Sequence, residues 1–130
     1  MRTLRILASA ASAATVASVA TLGLTTAPAQ AAGTCTVTAY APTYSSPNIS
    51  ARGLLSCTAT QQRVEIHVYV YKDGQQKGSG TIKWANNVRS TADTAVVTNE
   101  AGNQQWCTQV YGFWDGGGQG YAYTCENNSY

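Results

Sequence analysis

Charge is the property that this sequence has least of. Only 11% of the 130 residues are Asp, Glu, Lys or Arg, and the chain contains a single histidine. The eight basic and six acidic residues are scattered without a block of one sign, so no cluster of cations is available to neutralise phosphates. We therefore expect the protein to bind neither nucleic acid nor an anionic lipid surface.

The sequence also lacks the motifs of common catalytic and metal sites. Its one histidine, His67, lies within a strand-like run, and no strand-to-helix elbow places a serine nucleophile beside it. The acidic residues are spread along the chain rather than paired, and the glycines that follow Asp115 have no lysine that would make them a phosphate loop. Because Cys-x-x-Cys and alternating acidic ligands are missing, we expect no metal site, no cofactor and no enzyme activity.

The first 31 residues predict a secretory signal peptide. A basic region with Arg2 and Arg5 precedes an apolar run over Ile6–Leu24, and the small-residue motif ends at Ala31. A membrane anchor is the alternative, but serines and threonines dilute this alanine-rich run, which lacks the bulkier residues of stable spans. We predict cleavage after Ala31, release of residues 32–130 as one domain outside the cell, and no membrane attachment afterwards.

The four cysteines all lie in the predicted mature part, and their spacing indicates two disulfides. In an antiparallel pair of strands the residue numbers of opposite partners have a constant sum. The pairs that meet this test are Cys35 with Cys57, Val37 with Leu55, Cys107 with Cys125, and Tyr111 with Tyr121. Disulfides Cys35–Cys57 and Cys107–Cys125 are therefore favoured. Pairing of Cys57 with Cys107 and of Cys35 with Cys125 stays open, because loop entropy separates the two schemes by only about 1 kcal/mol per bridge.

Short β-like runs alternate with turn signals throughout residues 32–130, which predicts an all-β domain. The clearest run, Arg63 to Tyr71, alternates aliphatic with polar or aromatic residues, and Asp73-Gly74 after it predicts a type I′ turn. Asn86-Asn87 offers a further turn. Seven or eight such strands, with a disulfide hairpin near each end, favour a small two-sheet antiparallel β-sandwich.

This predicted outline resembles the architecture of immunoglobulin-like sandwiches. The finer pattern of those domains is absent, since Gln105 stands two residues before Cys107 where a tyrosine is expected, and Trp84 lies too far beyond Cys57. Small secreted β-sandwich amylase inhibitors with two disulfides share the outline as well, but their Trp-Arg-Tyr triplet does not occur here. The resemblance is architectural and assigns no function.

Aromatic residues are plentiful, with eight tyrosines, three tryptophans and one phenylalanine, none of them in the predicted signal. Two aromatic runs flank a flexible, glycine-rich connection over Asp115–Gly118. On the predicted register, one face of this hairpin carries Tyr111, Phe113, Tyr121 and Tyr123, and the other carries Trp106, Val110 and Trp114. A thin core can cover only one face, so the other set should be partly exposed. Which face is exposed stays open, and the plain alternative is that all the rings pack the core.

Exposed rings beside glutamine side chains suit stacking on sugars or anchoring a protein partner. The candidate binding residues are Trp106, Tyr111, Phe113, Trp114, Tyr121 and Tyr123, and Tyr69 and Tyr71 beside His67 and Glu65 form a second wet aromatic surface. We expect a secreted, monomeric, non-catalytic binding protein for extracellular polysaccharide, cell envelope or a protein partner. A polysaccharide-stacking site should show coplanar, linearly arranged rings. The alternative is an inhibitor of an extracellular hydrolase, or a toxin-like effector, that presents residues 115–120 or 42–50 as a loop.

Overall fold

The computed structural model describes residues 33–129, and the predicted signal peptide lies outside this range. Within it the chain is all-β and antiparallel, as predicted, with the strands joined into one sheet and a single 3₁₀ turn at Asp115–Gly117. The strands are β1 (Cys35–Ser45), β2 (Asn48–Lys72), β3 (Gln75–Ser79), β4 (Lys83–Thr98), β5 (Asn103–Trp114) and β6 (Gly118–Ser129).

The 25-residue strand β2 lies at the centre of the sheet. Its first half pairs with β1 and with the end of β4, and its second half pairs with β5, with β3 and with the beginning of β4. β6 then pairs with β5. The register of the β2–β4 ladder shifts between Ser56 and Gln61, and the whole sheet curls into a half-barrel.

The predicted two-sheet sandwich of immunoglobulin-like type is not confirmed, because the described strands all belong to one hydrogen-bonded sheet. The reason lies in two segments that join what we expected to be separate strands. No glycine or proline stands between Cys57 and Arg63, so β2 continues through this stretch. The turn expected at Asn86-Asn87 is absent as well, since β4 runs through both residues with Asn87 at a φ of 56°.

The core fills the inner side of the curl. Val64, Ile66, Val68 and Val70 of β2 are buried, as their alternation predicted, and Ile49, Leu55, Trp106 and Val110 join them. Gly53 lets the two halves of the sheet approach closely, since a methyl group there would lie 2.7 Å from a Val110 methyl and 2.9 Å from a Val68 methyl. The side chains that point inward are therefore committed to packing, and those that point outward are available for other roles.

The disulfides Cys35–Cys57 and Cys107–Cys125 are both present, which is the favoured pairing. The two ladders that hold them have the registers that the constant-sum test predicted. Asp73 and Gly74 have φ values of 48° and 83°, as a type I′ turn requires. Local sequence signals thus fix the hairpins at both ends of the domain.

Candidate binding surface

Aromatic side chains from three neighbouring strands meet on the outer side of the sheet. The ladders place Tyr111 of β5 between His67 of β2 and Tyr121 of β6. Two residues further along, Gln109 of β5 lies between Tyr69 of β2 and Tyr123 of β6. We call this set the aromatic face, and its members are His67, Tyr69, Tyr71, Tyr111, Phe113, Tyr121 and Tyr123.

Five rings of the aromatic face contact at least one other ring of the face, and four of the seven members are exposed to solvent. The exposed fractions of Tyr111, Phe113, Tyr121 and Tyr123 range from 36% to 53%. Ring centroids are 5.1 Å apart for Tyr111 and Tyr121, 6.1 Å for Tyr69 and Tyr111, and 5.5 Å for His67 and Phe113. The planes of these pairs meet at 51° to 80°, so the rings are tilted or edge-to-face rather than coplanar.

Polar contacts hold several of these rings in place. His67 Nε2 lies 2.5 Å from Glu65 Oε1, and its Nδ1 lies 3.3 Å from the Tyr69 hydroxyl. On the neighbouring strands Gln109 Nε2 donates to the Tyr121 hydroxyl at 3.2 Å. These bonds reduce the rotamer freedom that a partner would otherwise have to remove on binding.

Tyr71 closes the aromatic face at its disulfide end, where it lies opposite Cys107. Burial raises the pKa of Tyr71 above its ordinary value of 10, and the neighbouring Tyr111 and Tyr69 contribute in the same direction. The Tyr71 hydroxyl is therefore protonated at neutral pH and can both donate and accept a hydrogen bond.

The structure brings together four of the six candidate binding residues, namely Tyr111, Phe113, Tyr121 and Tyr123. The prediction for Trp106 is wrong, since this side chain is only 1% exposed and forms part of the core. Trp114 packs against the core and is half-buried, so it does not belong to the aromatic face either. The reason is parity, because even-numbered positions of β5 point into the curl and odd-numbered positions point outward.

Two features of the outer surface were not predicted from the sequence. The tyrosines of β2 and those of the β5–β6 hairpin appeared as two surfaces, and the pairing of β2 with β5 makes them one. Trp84 of β4 was not recognised as a surface ring. It lies opposite Glu65, is 50% exposed and carries the Arg63 guanidinium 3.4 Å above its ring. The alternation of β2 marked the outward residues, but no local signal identified their neighbours across the sheet.

The glycine-rich connection between β5 and β6 is anchored at its first residue. The Asp115 carboxylate accepts hydrogen bonds from the backbone N–H groups of Gln62 and Arg63, the latter at 3.1 Å. Gly116 and Gly117 form the tip with φ values of 77° and 78°, and nothing lies within 4 Å of the position a side chain would take. The connection is therefore tied to β2 at its base, and its tip carries no side chain.

Two further features are absent from residues 33–129. In that range no three His, Cys, Asp or Glu side chains are grouped so that they could hold a metal ion. The same residues contain no helix with the length and apolarity needed to cross a bilayer.

Comparison of the chain with protein-family models, with curated proteins and with solved structures gives no match. The aromatic face must therefore be interpreted from its own geometry and chemistry.

Proposed function

We propose that this chain is a secreted, non-catalytic binding protein whose aromatic face docks a protein partner. The observation that carries the proposal is the cluster of exposed, mutually contacting rings on one side of the sheet. The centres of protein interfaces are enriched in Tyr and Phe and depleted in charge, and they use rigid rings as anchors. Beside the aromatic face, the Glu65 carboxylate is hydrogen-bonded to the His67 ring, so it does not present an unpartnered charge to a protein docked there.

Secretion is the part of the proposal that rests on the amino terminus and the cysteines. Two disulfides are consistent with an oxidising compartment, and the segment that ends at Ala31 has the three regions of a signal peptide. Expression of the full chain in a secreting host should release a protein that begins at Ala32. Mass spectrometry of the protein from the medium tests this, and retention of Met1 through Ala31 on that protein would contradict it.

The tilt of the rings favours a protein partner over an extended polysaccharide. A long sugar chain stacks on rings that lie in one plane, whereas the pairs in this face meet at 51° to 80°. A tilted set presents ridges and hollows, which complement the uneven surface of a protein.

A short glycan is the second candidate, because the face contains one recess that suits it. Tyr111, Phe113, Gln119, Gly120 and Tyr121 line this hollow. A single sugar ring could stack on one aromatic side chain there while the Gln119 amide meets its hydroxyl groups.

The inhibitor alternative has weaker support from the two segments that would present a loop. The tip over residues 116–117 offers no side chain to fill a target's pocket. Residues 42–50 form a tight hairpin in which Ser45 pairs with Asn48, rather than a protruding loop. An inhibitor would still reveal itself by tight, stoichiometric loss of a hydrolase activity.

The deciding experiment compares the wild type with a Tyr121→Ser/Tyr123→Ser variant and a Tyr40→Ser control. Tyr40 is a matched control because it is an exposed tyrosine on β1, outside the aromatic face. Each protein is immobilised and exposed to the same culture medium and cell-surface extract from the producing organism. We expect a protein retained by the wild type and by Tyr40→Ser, with affinity reduced at least about tenfold in the double variant.

Equal retention by all three proteins would contradict a role for the aromatic face. In parallel, depletion of each protein from solution by insoluble cellulose, chitin and cell-wall material separates the two candidates. Depletion that is lost only in the double variant would replace the protein partner with a glycan.

A further inference from the structure

Strand β6 forms an outer edge of the sheet, with β5 as its only strand partner among residues 33–129. The direction of its backbone groups follows from one hydrogen bond, in which the N–H of Asp73 donates to the carbonyl oxygen of Gln105 at 2.9 Å. Along a strand, the backbone N–H and C=O groups of successive residues point to opposite edges. The backbone groups of odd-numbered β5 residues therefore hydrogen-bond to β2, and those of even-numbered β5 residues hydrogen-bond to β6. The β6 residues that hydrogen-bond to β5 are also even-numbered. Ala122, for example, lies opposite Val110.

The odd-numbered residues of β6 consequently direct their N–H and C=O groups away from β5, toward the open edge. Five of these residues are exposed, namely Gln119, Tyr121, Tyr123, Cys125 and Asn127. A long row of unpaired backbone groups is a template for another strand.

Proteins commonly protect such edges with lysine, proline, bulges or short strands, and the other outer strands of this sheet do so. Strand β3 has only five residues and contains Lys77. Strand β4 carries Lys83 and Arg89 and has a positive φ at Asn87, and β1 contains Pro42 beside a register shift. In contrast, β6 is twelve residues long, has no lysine or proline, and pairs with β5 without a register shift.

In place of the monomer expected from the sequence, we infer that β6 pairs antiparallel with β6 of a second copy of this chain, which joins two sheets across a two-fold axis. Pairing centred on Tyr123 engages the whole row of odd-numbered residues, with Tyr121 of one copy opposite Cys125 of the other. Glu126 is the only charged residue of β6. The same pairing places it opposite Gly120 of the other copy, and not opposite the Glu126 of that copy. Like charges therefore do not face each other across the strands.

The overall charge supports self-association as well. If the signal is removed with Arg2 and Arg5, the remaining basic and acidic residues balance, so two copies do not repel each other electrostatically. Pairing through β6 also brings the outward rings of Tyr121 and Tyr123 from both copies onto one continuous face. The dimer extends the aromatic face but does not depend on the partner proposed for it.

The first test is sedimentation velocity of the purified chain from about 1 µM to about 1 mM, the range of weak strand-mediated contacts. We expect a monomer at the low end and a dimer at the high end. A chain that stays monomeric over the whole range overturns the inference and leaves an extended segment of another protein as the occupant of the edge.

Variants at Tyr123 separate edge pairing from other contacts. Tyr123→Pro removes an N–H that points to the open edge and no hydrogen bond between β5 and β6, while Tyr123→Val removes the ring and keeps the N–H. We expect the proline variant to weaken the dimer at least about tenfold and the valine variant to weaken it less. A dimer that persists unchanged in a folded Tyr123→Pro protein would place the interface elsewhere and overturn the inference.

Amide hydrogen exchange of the wild type gives a result that does not depend on any variant. The N–H groups of Ala122 and Thr124 should be protected at every concentration, since they bond to β5. Those of Tyr121, Tyr123 and Cys125 should exchange rapidly in the monomer and become protected as the dimer forms. Rapid exchange of these three amides in a sample that sedimentation shows to be dimeric would contradict pairing through β6.

Discussion

Trp106 and Tyr121 lie in the same hairpin, and their side chains face opposite sides of the sheet. Trp106 is buried in the core and Tyr121 is mostly exposed. Trp106→Ala should lower the free energy of unfolding by about 3–5 kcal/mol through loss of core packing. Tyr121→Ala should lower it by much less, about 1 kcal/mol, because about half of that side chain is exposed and its removal leaves no cavity in the core. Urea denaturation followed by circular dichroism measures both values, and similar losses in the two variants would contradict the assignment of faces.

Glu100 provides a pH-dependent contribution to stability. A hydrogen bond and the charge of Lys72, with Lys77 nearby, lower the pKa of the Glu100 carboxyl below its ordinary value. A carboxyl group with a lowered pKa in the folded state stabilises the fold above its unfolded pKa and loses that effect as pH falls through the folded pKa.

The Glu100→Gln variant should therefore melt at a lower temperature than the wild type at pH 7. The two proteins should melt alike at about pH 2, where ordinary carboxyl groups are protonated. Thermal denaturation over this pH range measures the difference. Glu126→Gln is the control, since Glu126 has no ion pair within the described chain. A Glu100→Gln difference that is constant with pH would show that the ion pairs do not contribute.

At the scale of elements, the contact between the β5–β6 turn and β2 joins parts of the chain that are far apart in sequence. The Asp115 carboxylate accepts two backbone hydrogen bonds where β2 passes from one half of the sheet to the other. Asp115→Ala should lower the free energy of unfolding by about 1–3 kcal/mol, because two N–H groups lose a charged acceptor.

Gln62→Ala is the matched control for Asp115→Ala. It alters a neighbouring exposed side chain and keeps the backbone N–H that Asp115 accepts. Urea denaturation of both variants should show a loss for Asp115→Ala alone. If the two variants unfold at the same urea concentration as the wild type, Asp115 does not anchor the turn.

The sequence predicted the elements of this fold better than their arrangement, for a physical reason. The alternation of Arg63–Tyr71, the Asp73-Gly74 turn and the two cysteine hairpins all arise from residues close together in the chain. The pairing of His67 with Tyr111 joins strands that are far apart in the sequence, and a single sequence contains no periodicity that reports it. For the same reason the aromatic face appeared as two unrelated surfaces.

The continuity of β2 was also beyond local reasoning. Thr58 to Gln62 contains neither an apolar alternation nor a breaker, so it was compatible with a loop between two sheets or with a strand that bends. The ladders with β1, β4 and β5 decide between these possibilities by pairing with both ends of β2. Because β2 is continuous, the described strands form one curled sheet and not the expected two-sheet sandwich.

At the scale of the whole molecule, the curled sheet separates the side chains that pack the core from those that face solvent. One side of each strand fills a single small core, and the other side of β2, β5 and β6 presents rings to solvent. A domain of this size has little core to spare, so cross-links should supply a large part of its stability. The disulfides lie in the first and last hairpins of the described domain, one between β1 and β2 and one between β5 and β6.

Reduction of both disulfides should therefore unfold the protein at physiological temperature. The bridges close loops with sequence separations of 22 and 18 residues. Loops of that length contribute about 3 kcal/mol each, which together match the total stability of many small domains at about 5–15 kcal/mol. Thermal denaturation with and without dithiothreitol, followed by far-ultraviolet circular dichroism of the strands, measures the effect. A fully reduced chain with an unchanged melting temperature would show that burial inside the curled sheet is sufficient without the cross-links.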